Sequence, residues 1–402
     1  MRPIRFVFLV LMLALLPMTA QAEKEPSKAL KFFSRTGLKI DKYLLTGVDT
    51  NYITLPEHCW KLALNNGESG VNAAYRIWLD VGTPADLMMR NKPSIQIGFN
   101  AGYRGIGFGY SWDVLSAYST NWNISLGGKG LGISFRRQVT TNLTGKVLIN
   151  EKEDPDPTLI DKGDMRIATT SLSAWYALNA SHYSHNAAIK QSYIQRKPAG
   201  SILLSLAYMS YEIGVQDSSK FVQDEDMHYL INGMTKMITR QVAVGVGYGI
   251  NYTPNHGKVL LHAAAFMQVV CYSVNHVSYI LPDSVYLPGE PQYVIHPYKP
   301  VHVTGNMRAA VSWEINEWVH LSAWAQAEHL SFEAVDQQLS AFKIRSWNWQ
   351  ANLTIGVRIG AGAKRVRKAL GDEEYNTLRT PYQPHPGKLP KWLREYFFSS
   401  SL

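Results

Sequence analysis

The stretch Gln241-Val242-Ala243-Val244-Gly245-Val246-Gly247-Tyr248-Gly249-Ile250-Asn251-Tyr252 decides the fold of this chain. In an extended strand, successive side chains point to opposite faces. Val242, Val244, Val246, Tyr248, Ile250 and Tyr252 therefore share one face, and Gln241, Ala243, Gly245, Gly247, Gly249 and Asn251 share the other. An apolar face opposite one of glycine, amide and small residues suits a strand with lipid outside and a polar, crowded lumen inside. The run also matches the ~9–11 residues that a tilted strand needs to cross a bilayer.

The same alternation recurs on both sides of this stretch. Ile95, Ile97 and Phe99 alternate with Gln96, Gly98 and Asn100. After a parity change at Arg104-Gly105, which predicts a hairpin turn, Ile106, Phe108, Tyr110 and Trp112 alternate with Gly107, Gly109 and Ser111. Residues 122–126 and 131–139 flank a glycine-rich turn, and 171–179 and 201–215 read as two more strands separated by residues 180–200. Residues 259–272, 306–315 and 319–328 continue the series. The last strand sets Trp347, Trp349, Ala351, Leu353, Ile355, Val357 and Ile359 against Asn348, Gln350, Asn352, Thr354, Gly356 and Arg358. With residues 72–81 this gives about twelve strands, two either way, an even number as antiparallel closure prefers. The expected fold is thus all-β, an antiparallel transmembrane β-barrel. The five prolines between Asn275 and Pro300 predict a long external loop there.

Composition agrees. The chain holds 30 Gly, 22 Tyr and 11 Trp at an ordinary hydrophobic content of 46%, a stock that suits curved strands and interfacial aromatic girdles. Beyond the amino terminus no apolar run approaches the ~18 residues of a helical span, which excludes a helical membrane protein. A soluble β-sandwich would have shorter strands, and 402 residues is long for one.

Export is expected from the amino terminus. Arg2 and Arg5 precede an apolar core from Phe6 to Leu16, and Ala20-Gln21-Ala22 presents a cleavage site before Glu23. The expected organisation is a signal peptide over 1–22, a periplasmic or plug segment over 23–70, the barrel over 71–360 and a tail over 361–402. The plug segment contains Leu30-Lys31-Phe32-Phe33, a candidate amphipathic helix. The tail carries eight Lys or Arg against four acids. In an exported chain such basicity suits a solvated tail or anionic lipid head groups, and no nucleic-acid partner is expected. An export compartment permits a disulfide between Cys59 and Cys271, while Cys271 also continues an apolar, lipid-facing pattern.

Three motifs resemble the DUF4421 family of outer-membrane proteins of Bacteroidota: Asp49-Thr50-Asn51-Tyr52-Ile53, the glycine-tyrosine run from Gly102 to Tyr110, and Gln191-Ser192-Tyr193-Ile194-Gln195-Arg196-Lys197-Pro198-Ala199-Gly200-Ser201. What the resemblance implies is a β-barrel in the outer membrane, with no particular activity attached.

Candidate chemistry is sparse. His320 and Ser322 lie two residues apart on one strand face, ~7 Å between Cα atoms, and a histidine so placed can act as general base toward a serine. That arrangement resembles the dyad of outer-membrane lipid hydrolases, with Asn352 or Glu328 as the group that orients the ring. The alternation, however, points both residues into the lumen, away from acyl chains. The histidines at 182, 185, 256, 262 and 276 have no metal-ligand spacing, and no metal or cofactor is expected. Three functions therefore compete. The first is a small-solute passage, binding or structural component of the envelope, with Arg308, Glu314, Gln326, Asn348, Gln350 and Arg358 setting the lumen's polarity. The second is a lipid esterase or deacylase. The third is a surface binding or assembly protein that meets an envelope partner through the 275–300 loop. If the lumen residues pair across the barrel they plug it, and if they line a passage it conducts.

Overall fold

The computed structural model describes residues 28–360 apart from 79–83, 92–94, 115–118, 129, 142, 150–158, 161–162, 217–233, 280–291, 296–300 and 337–339, together with 370 and 372–373. The expected signal peptide and nearly all of the basic tail lie outside the described residues. No described helix is long and apolar enough to cross a membrane.

Twelve antiparallel strands form one closed wall, each bonded to the next in sequence. They are β1 (Trp60–Trp78), β2 (Ile95–Tyr103), β3 (Ile106–Asp113), β4 (Ser119–Gly127), β5 (Leu131–Thr140) and β6 (Met165–Ala177). The second half comprises β7 (Ala199–Val215), β8 (Met234–Tyr252), β9 (Val259–Tyr279), β10 (His302–Glu314), β11 (Val319–Asp336) and β12 (Ser340–Ile359). Closure comes from β12 pairing with β1 over Phe342↔Ile77 to Ile359↔Trp60, which leaves the barrel no free edge.

Parity explains the wall. On β8, Val244, Val246, Tyr248, Ile250 and Tyr252 are exposed on the outside, while Gln241, Ala243 and Asn251 are buried inside. Leu353, Ile355 and Val357 on β12 repeat the pattern opposite Asn352, Thr354 and Arg358. Such an outer belt is unstable against water and stable against acyl chains, at roughly 25 cal/mol per Å² of apolar surface removed from water.

The wall is uneven in height. β9 runs for 21 residues and β12 for 20, whereas β3 has 8. The tall side extends further where Pro84–Asn91 pairs with the upper half of β1, Leu143–Ile149 pairs with that strand, and Gln292–Ile295 pairs with β9 over Asn275–Ser278. Part of the expected 275–300 loop is therefore sheet. Its five prolines all lie beyond residue 281, so 275–279 stays in the ladder, with one register shift at Ser278–Tyr279.

The barrel also starts earlier than expected, at Trp60 and not at residue 71. Asn66, Glu68 and Asn72 sit on the outward parity of β1, which hides the alternation from a hydropathy reading.

At one end of the barrel the connections are tight. The β2–β3 turn is Arg104-Gly105, with Arg104 at φ 51, as the parity change required. Gly105 meets the backbone of Gly127, whose N–H donates to Gly105 O at 2.6 Å, so a side chain there has no room. The exception at this end is the connection between β6 and β7, residues 178–198.

Both cysteines are free, so the permitted disulfide is not formed. Cys59 lies at the tight-turn end. Cys271 is the extra residue where the β8–β9 register shifts from Val242↔Tyr272 to Ala243↔Val270, and it is exposed. A bulge leaves its extra residue unpaired, and here that position aims the thiol outward.

Candidate functional site

The tight-turn end of the barrel is floored by two segments outside the wall: the helix α1 (Lys28–Leu45) with the chain that follows it, and an insert between β6 and β7 carrying the one-and-a-half-turn helix α2 (His185–Lys190). Leu44 and Ile53 from the first segment pack with Ala187, Ala188 and Tyr193 of the insert and with Leu260 and Ala310 of the wall. Arg104 at the β2–β3 turn pairs with Asp41 of α1 at 2.6 Å and donates to Pro56 O at 2.6 Å, which ties the floor to the wall.

The three sequence motifs meet here. Residues 53–54 form a two-stranded ladder with 194–195, Asp49 N–H donates to Ser181 O at 2.9 Å, and Arg196 N–H donates to Tyr52 O at 2.7 Å. Gln195 holds the insert's shape. Its Nε2 donates to the carbonyls of His182 (2.6 Å) and Lys197 (2.9 Å), and its Oε1 accepts the N–H of Ser184 (3.0 Å).

From the wall, Asn251 Nδ2 donates to Ser184 O at 2.9 Å and to Gln195 Oε1 at 3.0 Å. Its Oδ1 accepts from His262 Nδ1 at 2.8 Å. Asn186 Nδ2 reaches the carbonyls of Gly128 and Leu131 on the β4–β5 turn. The insert is thus clamped to the wall on both flanks of its own strands, and these bonds satisfy polar groups that burial would otherwise leave orphaned.

Above the floor lies a chamber of about 140 Å³. One water needs ~10–15 Å³ on this scale, so the space admits a small solute with part of its hydration. Lys61, Arg104, Arg136, Lys190, Arg308 and Arg358 line it, with Glu328 as the one lining carboxylate. Arg136 pairs with Glu328 at 2.6 Å and donates to Gln350 at 3.2 Å, and Arg358 is held by both oxygens of Glu314. The Arg136 bonds cross the lumen from β5 to β11 and β12. Higher up, Gln138 on β5 reaches Ser69 on β1, so the interior is cross-braced. A second, smaller space of about 40 Å³ shares Trp175, Arg308 and Glu328 with the chamber.

Lys190 belongs to the insert. Its ammonium donates to the carbonyls of Leu126 (3.0 Å) and Ile133 (3.2 Å). Burial, then Arg308 and Lys61, lower its pKa from 10.5 to about 7. His185 stays neutral because burial, then His262, Arg308 and Lys190, push its pKa well below the usual value.

The Lys190 shift fixes a pH dependence. Between about pH 7 and 9 the unfolded chain binds this proton and the folded chain releases it, so stability rises with pH across that window. Lys190→Met is expected to flatten the rise, measured as the thermal midpoint of the detergent-solubilised barrel at pH 7, 8 and 9.

The six lumen residues expected from sequence all face inward: Arg308, Asn348, Gln350 and Arg358 are buried, Glu314 pairs with Arg358, and Gln326 lines the chamber. The dyad with its orienting groups is not assembled. His320 and Ser322 share the inner face, but both imidazole nitrogens and the serine Oγ lack hydrogen-bond partners among the described residues. His320 lies opposite Gly356 and packs into the space that glycine leaves. Asn352 stands opposite Trp324, two rungs beyond Ser322, and Glu328, eight residues along β11 from His320, is committed to Arg136 and Asn306.

Sequence reading missed Lys61, Arg136, Lys190 and the insert. Arg136-Arg137 within a strand was a usable signal, because strict alternation must turn one of two adjacent arginines inward.

Solved structures of outer-membrane barrels are similar to this chain at low scores. The outer membrane protease OmpT from Escherichia coli is similar over 76% of this chain and 98% of its own, at 9% identity and a TM-score of 0.34. The β-domain of the Bordetella autotransporter BrkA is similar over 74% and 98%, at 10% identity and 0.28. The outer membrane protein OprG from Pseudomonas aeruginosa is similar over 76% and 98%, at 11% identity and 0.25. Likenesses of this size say nothing about activity, and no curated protein sequence matches. Residues 47–359 match the family described as "Domain of unknown function (DUF4421)", and the chain therefore belongs to that family.

Proposed function

We propose that this protein is an outer-membrane barrel closed by its own floor, which acts as a solute-binding or structural component of the envelope and not as an open pore. The apolar outer belt of a sealed twelve-stranded wall supports membrane residence. Residues 1–22 act as the export signal, and the floor, with its short turns, faces the periplasm while the long connections face outward. The single observation that carries the closed reading is the insert, folded across the lumen and clamped by Asn251, Asn186 and Lys190.

Planar-bilayer recording tests it. The purified wild type is expected to give no steady single-channel steps, and a variant with residues 182–196 replaced by a short glycine-serine linker is expected to give them. Stable ohmic steps from the wild type would sink the proposal.

A further inference from the structure

We infer that the chamber binds a phosphate-class dianion, inorganic phosphate or a small phosphate monoester, with Arg308, Lys61 and Lys190 as its principal contacts. This rests on the closed-lumen reading, since an open passage has no enclosed chamber.

Charge is the first argument. Of the six cations lining the chamber, Arg104 is neutralised by Asp41, Arg136 by Glu328 and Arg358 by Glu314. Among the described residues no carboxylate pairs with the other three. Lys61 donates to Lys190 O at 2.6 Å and to Gln191 Oε1 at 3.2 Å, and Lys190 donates to two backbone carbonyls. Arg308 lies against aromatic rings, 5.2 Å from that of Trp175 and 6.0 Å from that of Phe266, and its Nε has no partner. Arg308 is buried and Lys61 and Lys190 are half-buried, and positive charge gathered here without an adjacent carboxylate disfavours the closed state unless an anion joins it.

Neutral donors point the same way. Ser322 Oγ and Ser192 Oγ are buried, unpartnered and on the chamber lining, and Trp175 Nε1 is an unpartnered donor on the same lining. They stand on β11, the insert and β6, so donors are offered from more than one side of the chamber. A tetrahedral oxyanion accepts from several directions, whereas a planar carboxylate uses fewer and leaves two positive charges over. A lining rich in Ser, Asn and Gln offers no slot for an acyl chain.

Arg308 is also shared with the smaller upper space, so its guanidinium stands between the two. That position puts it in contact with any anion arriving from the long-loop end.

The test is calorimetric titration of the detergent-solubilised full chain in phosphate-free buffer with inorganic phosphate, glycerol 1-phosphate and acetate. The wild type is expected to bind phosphate saturably at one site, without competition from acetate. Tighter binding of glycerol 1-phosphate assigns an ester, and tighter binding of inorganic phosphate assigns the free ion. Arg308→Gln is expected to weaken binding by roughly tenfold or more, as loss of a charge-assisted hydrogen bond does. Arg308→Lys should recover part of the loss, and Arg240→Gln, an exposed arginine outside the chamber, should change nothing. Heat-modifiable migration confirms that each variant is folded. Should Arg308→Gln misfold, Lys61→Met carries the same expectation.

Absence of saturable phosphate binding in a wild type that is electrically silent overturns the inference and leaves the closed barrel standing. Equal affinities in wild type and folded Arg308→Gln overturn it as well. Steady conductance from the wild type removes the closed chamber and the site together.

Discussion

Glu314→Ala is expected to destabilise the folded barrel by about 3–5 kcal/mol, the cost of leaving one member of a buried ion pair alone. Arg358 is 2% exposed and its guanidinium is gripped by both oxygens of Glu314, with Nη2 to Oε1 at 2.7 Å. The same Nη2 faces Gln191 O of the insert at 3.5 Å, so the pair joins β10, β12 and the floor. Without the carboxylate, Arg358 shares the chamber with Lys61 and Lys190, and the lining carboxylate, Glu328, is already paired with Arg136. Urea unfolding in lipid vesicles, followed by tryptophan fluorescence, measures the loss. A loss under about 1 kcal/mol would show that the pair is hydrated and not structural. The charge-free pair Glu314→Leu with Arg358→Met should recover most of the stability, because a buried ion pair is replaceable by packed apolar side chains while half of one is not.

The second large effect is at Gly249. Its Cβ, if present, would lie 2.0 Å from the Tyr183 hydroxyl and 3.0 Å from Leu203 Cδ1. Tyr183 is fully buried and its hydroxyl meets His185 Nδ1 at 3.2 Å, so the ring cannot swing aside without lifting the first turn of α2. Gly249→Val is expected to cost about 1–3 kcal/mol by overpacking and to release the insert from the wall. The wall should persist, since the β7–β8 ladder at Ser201↔Gly249 needs only backbone. The readout is tryptic cleavage after Lys190 in a barrel that still shows heat-modifiable migration. Gly305→Ala is the control, because its nearest contact would be Phe266 O at an ordinary 3.7 Å. An insert in Gly249→Val as resistant as the wild type would contradict the role assigned to this glycine.

These two sites show what period-two hydropathy reveals and what it hides. Gly245, Gly247 and Gly249 are legible as an inward face of small residues, but what fills the space beside them is not: Gln268 and Phe266 lie across the β8–β9 ladder from the first two, and Tyr183, from 66 residues away in the chain, meets Gly249. Gln195 and Asp49 stand out only through the family resemblance. Their roles emerge once residues 53–54 pair with 194–195, a contact between two stretches that lack strand periodicity of their own. The dyad fails for a related reason. Parity places His320 and Ser322 on one face correctly, but it carries no information about which side chains from β12 stand opposite them.

The sequence by itself determined the all-β class, the closure into about twelve strands, the inward direction of Arg308, Glu314, Gln350 and Arg358, and the tight turn at Arg104-Gly105. Each of these follows from local alternation, which a strand's geometry converts directly into two faces. Only the tertiary structure decided that the lumen is floored, that Lys61 and Lys190 join Arg308 around one chamber, and that three of its cations lack carboxylates. Those facts depend on non-local folding of residues 28–59 and 178–198 into the barrel. No local period encodes a contact between segments so far apart in the chain.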